Sequence, residues 1–288
     1  MSDTSSPAGL VFPVPYVPTL GPMHPDTITR ELWEQVVAVS GTGHFLSHDK
    51  DARWGGTKAE HVLVDHVRDS DQPTAAVPTL LQRGNRSTMR VHLYGDIDLD
   101  RESEQAAKLA ADHGADHVRL VRLTPDPQPG QCCRIHLRTF TRDTEAPTPS
   151  GTTELDRLPP AARATWPDFT EELAGEGFAF LAAHERAGTL DGPVLTVARH
   201  GRVLGAIGPM ATRTDPAGQV RLLPQYFGVL PTHRGRGHGR ALWQAAMAWG
   251  QGSGADYQVL QTELDGASDR LCQDEGLTTL GFVTTVAL

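Results

Sequence analysis

Cysteine is scarce in this chain: three occur, Cys132, Cys133 and Cys272. Adjacent cysteines do not make an ordinary structural disulfide, and an odd count leaves a thiol over. A dense disulfide framework is excluded, and a reducing cytoplasm fits best. No apolar run is long enough to span a bilayer. The opening Met1-Ser2-Asp3-Thr4-Ser5-Ser6-Pro7 lacks a basic stretch followed by an apolar one, so no signal peptide is expected. Positive charge is in deficit, with 26 Lys and Arg against 35 Asp and Glu and a formal net charge of −9. Such a chain is a poor general binder of nucleic acid or of an anionic membrane, and it weakly steers in cationic substrates. His44 and His48, like His113 and His117, have the spacing of helical metal pairs, but no third ligand of matching context accompanies them. No metal is expected.

What is present is an ordinary globular balance, 39% hydrophobic and 21% charged residues over 288 positions, comfortable for two domains. The first twenty-odd residues read as an irregular arm. Thr27–Ser40 reads as a helix, Gly43–Lys58 as a loop, and Ala59–Val67 as either helix or strand. Strands are expected at Met89–Tyr94 and His117–Leu123, with a helix over Asp98–His113 between them. Thr124–Gly130 holds three prolines and a glycine and is the best domain boundary. The expected domains are therefore 1–127 and 128–288. In the second, strands are expected at Gln131–Arg142, Val194–Ala198, Val203–Ile207, Arg221–Val229, Tyr257–Thr262 and Thr279–Ala287. Helices are expected at Pro167–Ala187, Gly239–Trp249 and Ala267–Asp274, and His200-Gly201 reads as a hairpin turn. Gly114-Ala115-Asp116 and Gly254-Ala255-Asp256 each follow a helix and precede a strand, which suggests a tandem repeat with a degenerate first copy.

The strongest chemical signal is Arg234, Gly235, Arg236, Gly237, His238, Gly239 and Arg240, set between a strand and a helix. Glycines let the backbone turn tightly and approach a ligand. Amides at a helix N-terminus point outward, the helix dipole favours negative charge, and arginines add charge-assisted bonds. This pattern reads as a pyrophosphate site. A P-loop would need a lysine that is missing here. A dinucleotide-binding turn would need Gly-x-Gly-x-x-Gly early in a βαβ unit.

Val229-x-Pro231-x-x-Arg234-Gly235-x-Gly237-x-Gly239-Arg240 resembles motif A of the GNAT superfamily of acyl-CoA-dependent N-acetyltransferases. Asp265 to Ser268, Leu271, Cys272 and Gly276-Leu277 resemble a second segment of that family, and the likeness covers roughly residues 130–288. The first half resembles at most a worn copy, because Asp96–Asp100 lacks the glycines and arginines. Two-domain members include mycothiol synthase and antibiotic-resistance acetyltransferases. The resemblance implies a mixed α/β fold: a GNAT-like twisted central sheet flanked by helices in the C-terminal domain, preceded by a smaller degenerate GNAT-like domain.

It further implies an enzyme that passes acetyl from acetyl-CoA, as co-substrate, to a primary amine of a small molecule such as an antibiotic or other secondary metabolite. Backbone groups of Phe227 and Val229 would hold the pantetheine arm, and the loop amides would hold the pyrophosphate. Many family members carry a glutamate on the strand before the loop, but Gln219–Pro231 has no Asp or Glu. Tyr226, Glu263 or a residue of the other domain remain as base candidates, with packing the bland role for Tyr226 and a solvated loop for Glu263. The family's general acid is usually a tyrosine, and the matching position here is Cys272, for which packing is the bland role. The alternative to an enzyme is a coenzyme A-binding regulatory protein with a degenerate catalytic site. A homodimer is left open.

Overall fold

The computed structural model describes residues 10–54, 59–69, 74–141 and 151–288. The expected arm over residues 1–9, the end of the 43–58 loop and Arg142 lie outside them. The chain divides into two compact units, 1–138 with 259–288, and 139–258. Thr124–Gly130, the boundary expected from sequence, joins two strands within the first unit.

The first unit opens with a short pairing of β1 (Tyr16–Val17) and β2 (Gly21–Pro22), followed by α1 (Arg30–Val39). Thr29 caps α1, its Oγ1 accepting from Leu32 N–H at 3.2 Å. Then come β3 (Glu60–Val62), β4 (Arg68–Asp69), β5 (Ala75–Arg83), β6 (Arg86–Tyr94), α2 (Leu99–Asp112), β7 (His117–Thr124) and β8 (Gln131–Thr139). The segment 59–67, ambiguous in sequence, becomes β3 and a one-turn helix at Val64–His66. β5 was not legible because Pro78 interrupts it. Pro78 O accepts from Leu63 N–H, so its missing donor also faces that edge, between the β3 and β4 pairings, and no bond to β6 is lost. The strand order in this unit runs β8-β16-β7-β6-β5-β3, with β6 and β7 parallel and α2 as their crossover. Met89, Val91 and Leu93 alternate onto one face, where they pack against Ala106 and Ala110 of α2.

The second unit holds β9 (Thr153–Glu154), α3 (Pro160–Arg163), α4 (Trp166–Glu172), α5 (Phe178–Arg186), β10 (Leu195–Arg199), β11 (Arg202–Gly208), β12 (Thr212–Thr214), β13 (Val220–Leu222), β14 (Tyr226–Val229) and α6 (His238–Gly252). β15 (Tyr257–Glu263) starts here and ends in the first unit, which also contains α7 (Ala267–Asp274) and β16 (Thr278–Ala287). Two expectations are corrected. Pro167–Ala187 is not one helix: it breaks at Gly177, whose φ of 92° is left-handed and whose missing Cβ leaves room for the Tyr226 ring. Arg221–Val229 is not one strand: Pro224 cannot donate to a ladder, and the chain passes from β13, parallel to β15, to β14, the edge of the sheet β14-β11-β10-β9. β8 ends at Thr139 rather than Arg142. The His200-Gly201 hairpin is present, with φ of 50° and 72° at the two turn residues, the left-handed pair of a type I′ turn.

The suspected repeat has a physical counterpart. In the first unit Gly114 is left-handed, Ala115 N–H donates to Ala110 O and Asp116 N–H to Ser87 O, while the Asp116 carboxylate accepts from Ser87 N–H at 2.9 Å. In the second unit Gly254 is left-handed, Ala255 N–H donates to Gly250 O and Asp256 N–H to Val220 O, while the Asp256 carboxylate accepts from Val220 N–H at 2.8 Å. Each unit thus fastens the strand after its helix to the parallel neighbour with the same reciprocal clasp.

Candidate functional site

Among the described residues, β14 presents an open edge. Leu230 N–H donates to Leu204 O, and the register pairs Val229 with Gly205 and Phe227 with Ile207. Backbone groups alternate in direction along an antiparallel strand. Those of Gly228 therefore face β11, while those of Phe227 and Val229 face outward. The two faces of the strand are also divided. Gly228 lies against Phe178 and Leu173 on the α4–α5 side, while Phe227 and Val229 lie against Gly239 of α6.

The loop follows at once. A single helical turn at Pro231–His233 leads to Arg234, whose Nε donates to Val229 O at 2.9 Å and whose other end pairs with Glu176 at 2.6 Å. That side chain braces the loop against the strand end, so Arg234 offers its backbone to a ligand while its guanidinium is already engaged. Gly237 is the N-cap of α6 at φ 82°, a left-handed conformation that favours glycine. It has no side chain with which to cap the helix. Ala241 N–H to Gly237 O is the first rung of the ladder, so the amides of His238 and Gly239 lie outside it. The α2 start is built differently: Asp98 accepts from Asp100 and Arg101 N–H at 3.1 and 3.3 Å.

Electrostatics at the loop favour an anion. Burial and then the charges of Arg199, His233 and Arg236 push the His238 imidazole below its ordinary range. Arg199 comes from the end of β10, beside the tight hairpin, so its positive charge joins that of the loop arginines. Arg236 and Arg240 are exposed.

The three expected catalytic residues have different settings. Tyr226 begins β14, half-buried, and packs on the α4–α5 core that holds Trp166, Phe169 and Phe178. Glu263 and Cys272 belong to the first unit. Glu263 ends β15 and is exposed. Cys272 lies on α7 and is 1% exposed; burial first, then Asp269 and Glu275, pushes its thiol up to about 12. A thiol held that high is a reluctant proton donor, which favours its packing role. One turn earlier, Asp269 is fully buried and accepts from Arg134 Nε (3.0 Å), His136 Nε2 (2.9 Å), Asp265 N–H (3.0 Å) and Gln273 Nε2 (2.9 Å). Burial alone would raise its carboxyl, but bonds from Asp265, Arg134 and Thr262 hold it below the usual range. His136 Nδ1 is buried without a partner, and burial keeps the imidazole depressed despite Asp269. Sequence reasoning missed this cluster because its members lie on β8, β15 and α7, far apart in the chain. Among the described residues no cluster of three metal-ligating side chains occurs, and no helix is long and apolar enough to cross a membrane.

Residues 158–272 match the model of the Acetyltransferase (GNAT) family. Solved structures similar to the chain include a GCN5-related N-acetyltransferase from Sphaerobacter thermophilus, 18% identical over 74% of this chain and 76% of that one, with a TM-score of 0.46. A GNAT-family acetyltransferase from Colwellia psychrerythraea is 9% identical over 91% and 97%, with a TM-score of 0.47. A tandem GNAT protein from the clavulanic acid biosynthesis pathway is 13% identical over 74% and 78%, with a TM-score of 0.43. No curated protein matches the chain. The open edge of β14 and the cationic loop both fall inside the matched segment, and through that segment the chain carries a domain of the acetyltransferase (GNAT) family.

Proposed function

We propose that the protein is an acetyl-CoA-dependent N-acetyltransferase acting on a primary amine of a small molecule. The observation that carries this reading is the continuity of an outward-facing strand edge with an uncapped, cation-lined helix start. Val229 N–H and the groups of Phe227 would hold the pantetheine amides as a neighbouring strand does, and amides from Gly235 to Gly239 would hold the diphosphate. An outward strand amide would polarise the thioester carbonyl as an oxyanion donor. The attacking amine must first lose its proton. An antibiotic or other secondary metabolite is the acceptor class we favour, on the family likeness and on the net negative charge of the chain.

A second reading, a coenzyme A-binding regulator without turnover, draws on the high thiol of Cys272 and the lack of a carboxylate in Gln219–Pro231. Purified protein with acetyl-CoA and a panel of amines, including aminoglycosides and cysteinyl sugars, separates the two. Release of coenzyme A with appearance of an acetylated amine is expected. Tight acetyl-CoA binding without release from any amine would favour the regulator, and no binding would sink both.

A further inference from the structure

β6 divides the chemistry of the first unit between its two faces. Met89, Val91 and Leu93 pack on the α2 side, so Arg90 and His92 point to the other side. Residues paired directly across a sheet share a face. The register sets Arg90 opposite Thr79 of β5 and Arg119 of β7, His92 opposite Val77, and Glu60 of β3 opposite Leu81. Glu60, Thr79, Arg90, His92 and Arg119 therefore share the face away from α2. The half-buried Tyr16 of β1 lies over it, its ring 5.8 Å from that of His92. These residues all belong to the first unit.

The charges on this face do not neutralise one another. Thr79 Oγ1 donates to Glu60 Oε1 at 3.0 Å and draws that carboxylate from β3 over β5, toward Arg90. Glu60 is buried, and one bond leaves most of the acceptor capacity of a carboxylate unused. Arg90 is half-buried, and its Nε is buried without a partner. Among the described residues, neither Arg90 nor Arg119 pairs with an acid. Like charges set directly opposite repel, and a buried donor left unbonded adds its desolvation cost. Glu60 and Arg90 stand two strand spacings and two residues apart, roughly 12 Å between Cα atoms. Both charges are felt at the same two rings. Burial and then Glu60 push the Tyr16 phenol up to about 12, with Arg90 opposing. Burial depresses the His92 imidazole, with Glu60 opposing and Arg90 adding to the effect.

We propose that this face of the first unit binds a free α-amino acid, its carboxylate held by Arg90 and Arg119 and its ammonium by Glu60. An anion alone would bring a like charge to the Glu60 carboxylate. A cation alone would leave the two arginines repelling each other. A small molecule with both charges on neighbouring atoms satisfies acid and arginines together through charge-assisted bonds. The planar guanidinium fork matches a carboxylate, and the unbonded Nε–H of Arg90 is one of the donors of that fork. Thr79 is a positioning residue, aiming the Glu60 carboxylate, and the Tyr16 ring gives the amino acid's side chain an apolar wall. Binding here needs no acyl carrier.

The test titrates the full chain calorimetrically with the standard L-amino acids, one at a time and without acetyl-CoA, with melting curves alongside. At least one amino acid is expected to bind with a Kd below about 1 mM. Its decarboxylated amine and its deaminated acid, each lacking one charge, should bind about tenfold more weakly or worse. Glu60→Gln keeps an oxygen for Thr79 and loses the charge. Its affinity for the amino acid should fall about tenfold or more, while its affinity for the deaminated acid holds. Arg90→Gln should weaken both ligands. A residue kept for the fold lowers the melting temperature when replaced. Arg90→Gln without ligand should instead melt with the parent or above it, because a buried unbonded donor is removed. The inference is overturned if no amino acid binds below about 1 mM, or if a one-charge analogue binds as well as the amino acid. Parent-like amino-acid binding by either variant, or an Arg90→Gln protein that melts well below the parent, also overturns it.

Discussion

Replacing Gly237 separates two demands on one residue. Its φ of 82° is left-handed, and a Cβ built there meets nothing within 4 Å. Gly237→Ala therefore costs only the backbone conformation, about 1–2 kcal/mol for an L-residue held in that region. For a chain of this size that is a fall of several degrees in melting temperature, at about 2–4 °C per kcal/mol. Gly237→Glu carries the same backbone cost and adds a carboxylate beside the His238 and Gly239 amides, competing for the diphosphate position. Acetyl-CoA affinity should fall by about a hundredfold or more, equivalent to about 2.8 kcal/mol. Calorimetric titration of both variants, with melting curves alongside, is the assay. The reasoning fails if the two variants bind acetyl-CoA equally well, because the carboxylate would then not be at the ligand. It fails separately if Gly237→Ala melts with the parent.

Two further outcomes follow from the electrostatics. A bound diphosphate should lift His238 out of its depressed range, so acetyl-CoA binding should take up protons, up to about one per site, and tighten as pH falls through the range near 6.5. Titrations in buffers of different ionisation enthalpy read that uptake, and His238→Gln should remove it. For His136 and Asp269 the folded pKa values are both depressed. The stability each confers is complete above its unfolded value, about 6.5 and about 3.9 respectively, and is lost as pH falls through the folded one. Denaturant titrations should show stability declining first below about pH 6.5, less steeply in His136→Gln, with His92 and His238, also depressed, supplying the remaining slope. A stability profile for His136→Gln that overlays the parent would contradict this.

The parts legible in sequence are those with local causes. α2 and α6 carry their own periodicity and boundaries, and the loop announces itself through glycine and arginine spacing. The break at Gly177 was not legible, because its cause is the Tyr226 ring packed where a Cβ would sit. The division of Arg221–Val229 between two strand neighbours depends on which partners each part finds, and only Pro224 hinted at it. Phe227 and Val229 were named through family likeness; their outward direction follows from the bond between Leu230 and Leu204, which no local pattern encodes. The Asp269 cluster was invisible because Arg134, His136 and Thr262 meet that carboxylate only once β8, β15 and α7 are packed together.

The shared clasp at Asp116 and Asp256 also fixes a stoichiometry. Both units keep the joint that fastens strand to strand, so the helix starts before the joints can be matched. In the second unit that start is Gly237, with arginines before and after it. In the first it is Asp98, flanked by Asp96 and Asp100, and its carboxylate already occupies the amides of Asp100 and Arg101. A diphosphate brought there would meet three negative charges and no unoccupied cap. One chain should therefore load a single acyl carrier, and a titration should saturate at one equivalent, with the first unit's half-site closed by its own aspartate.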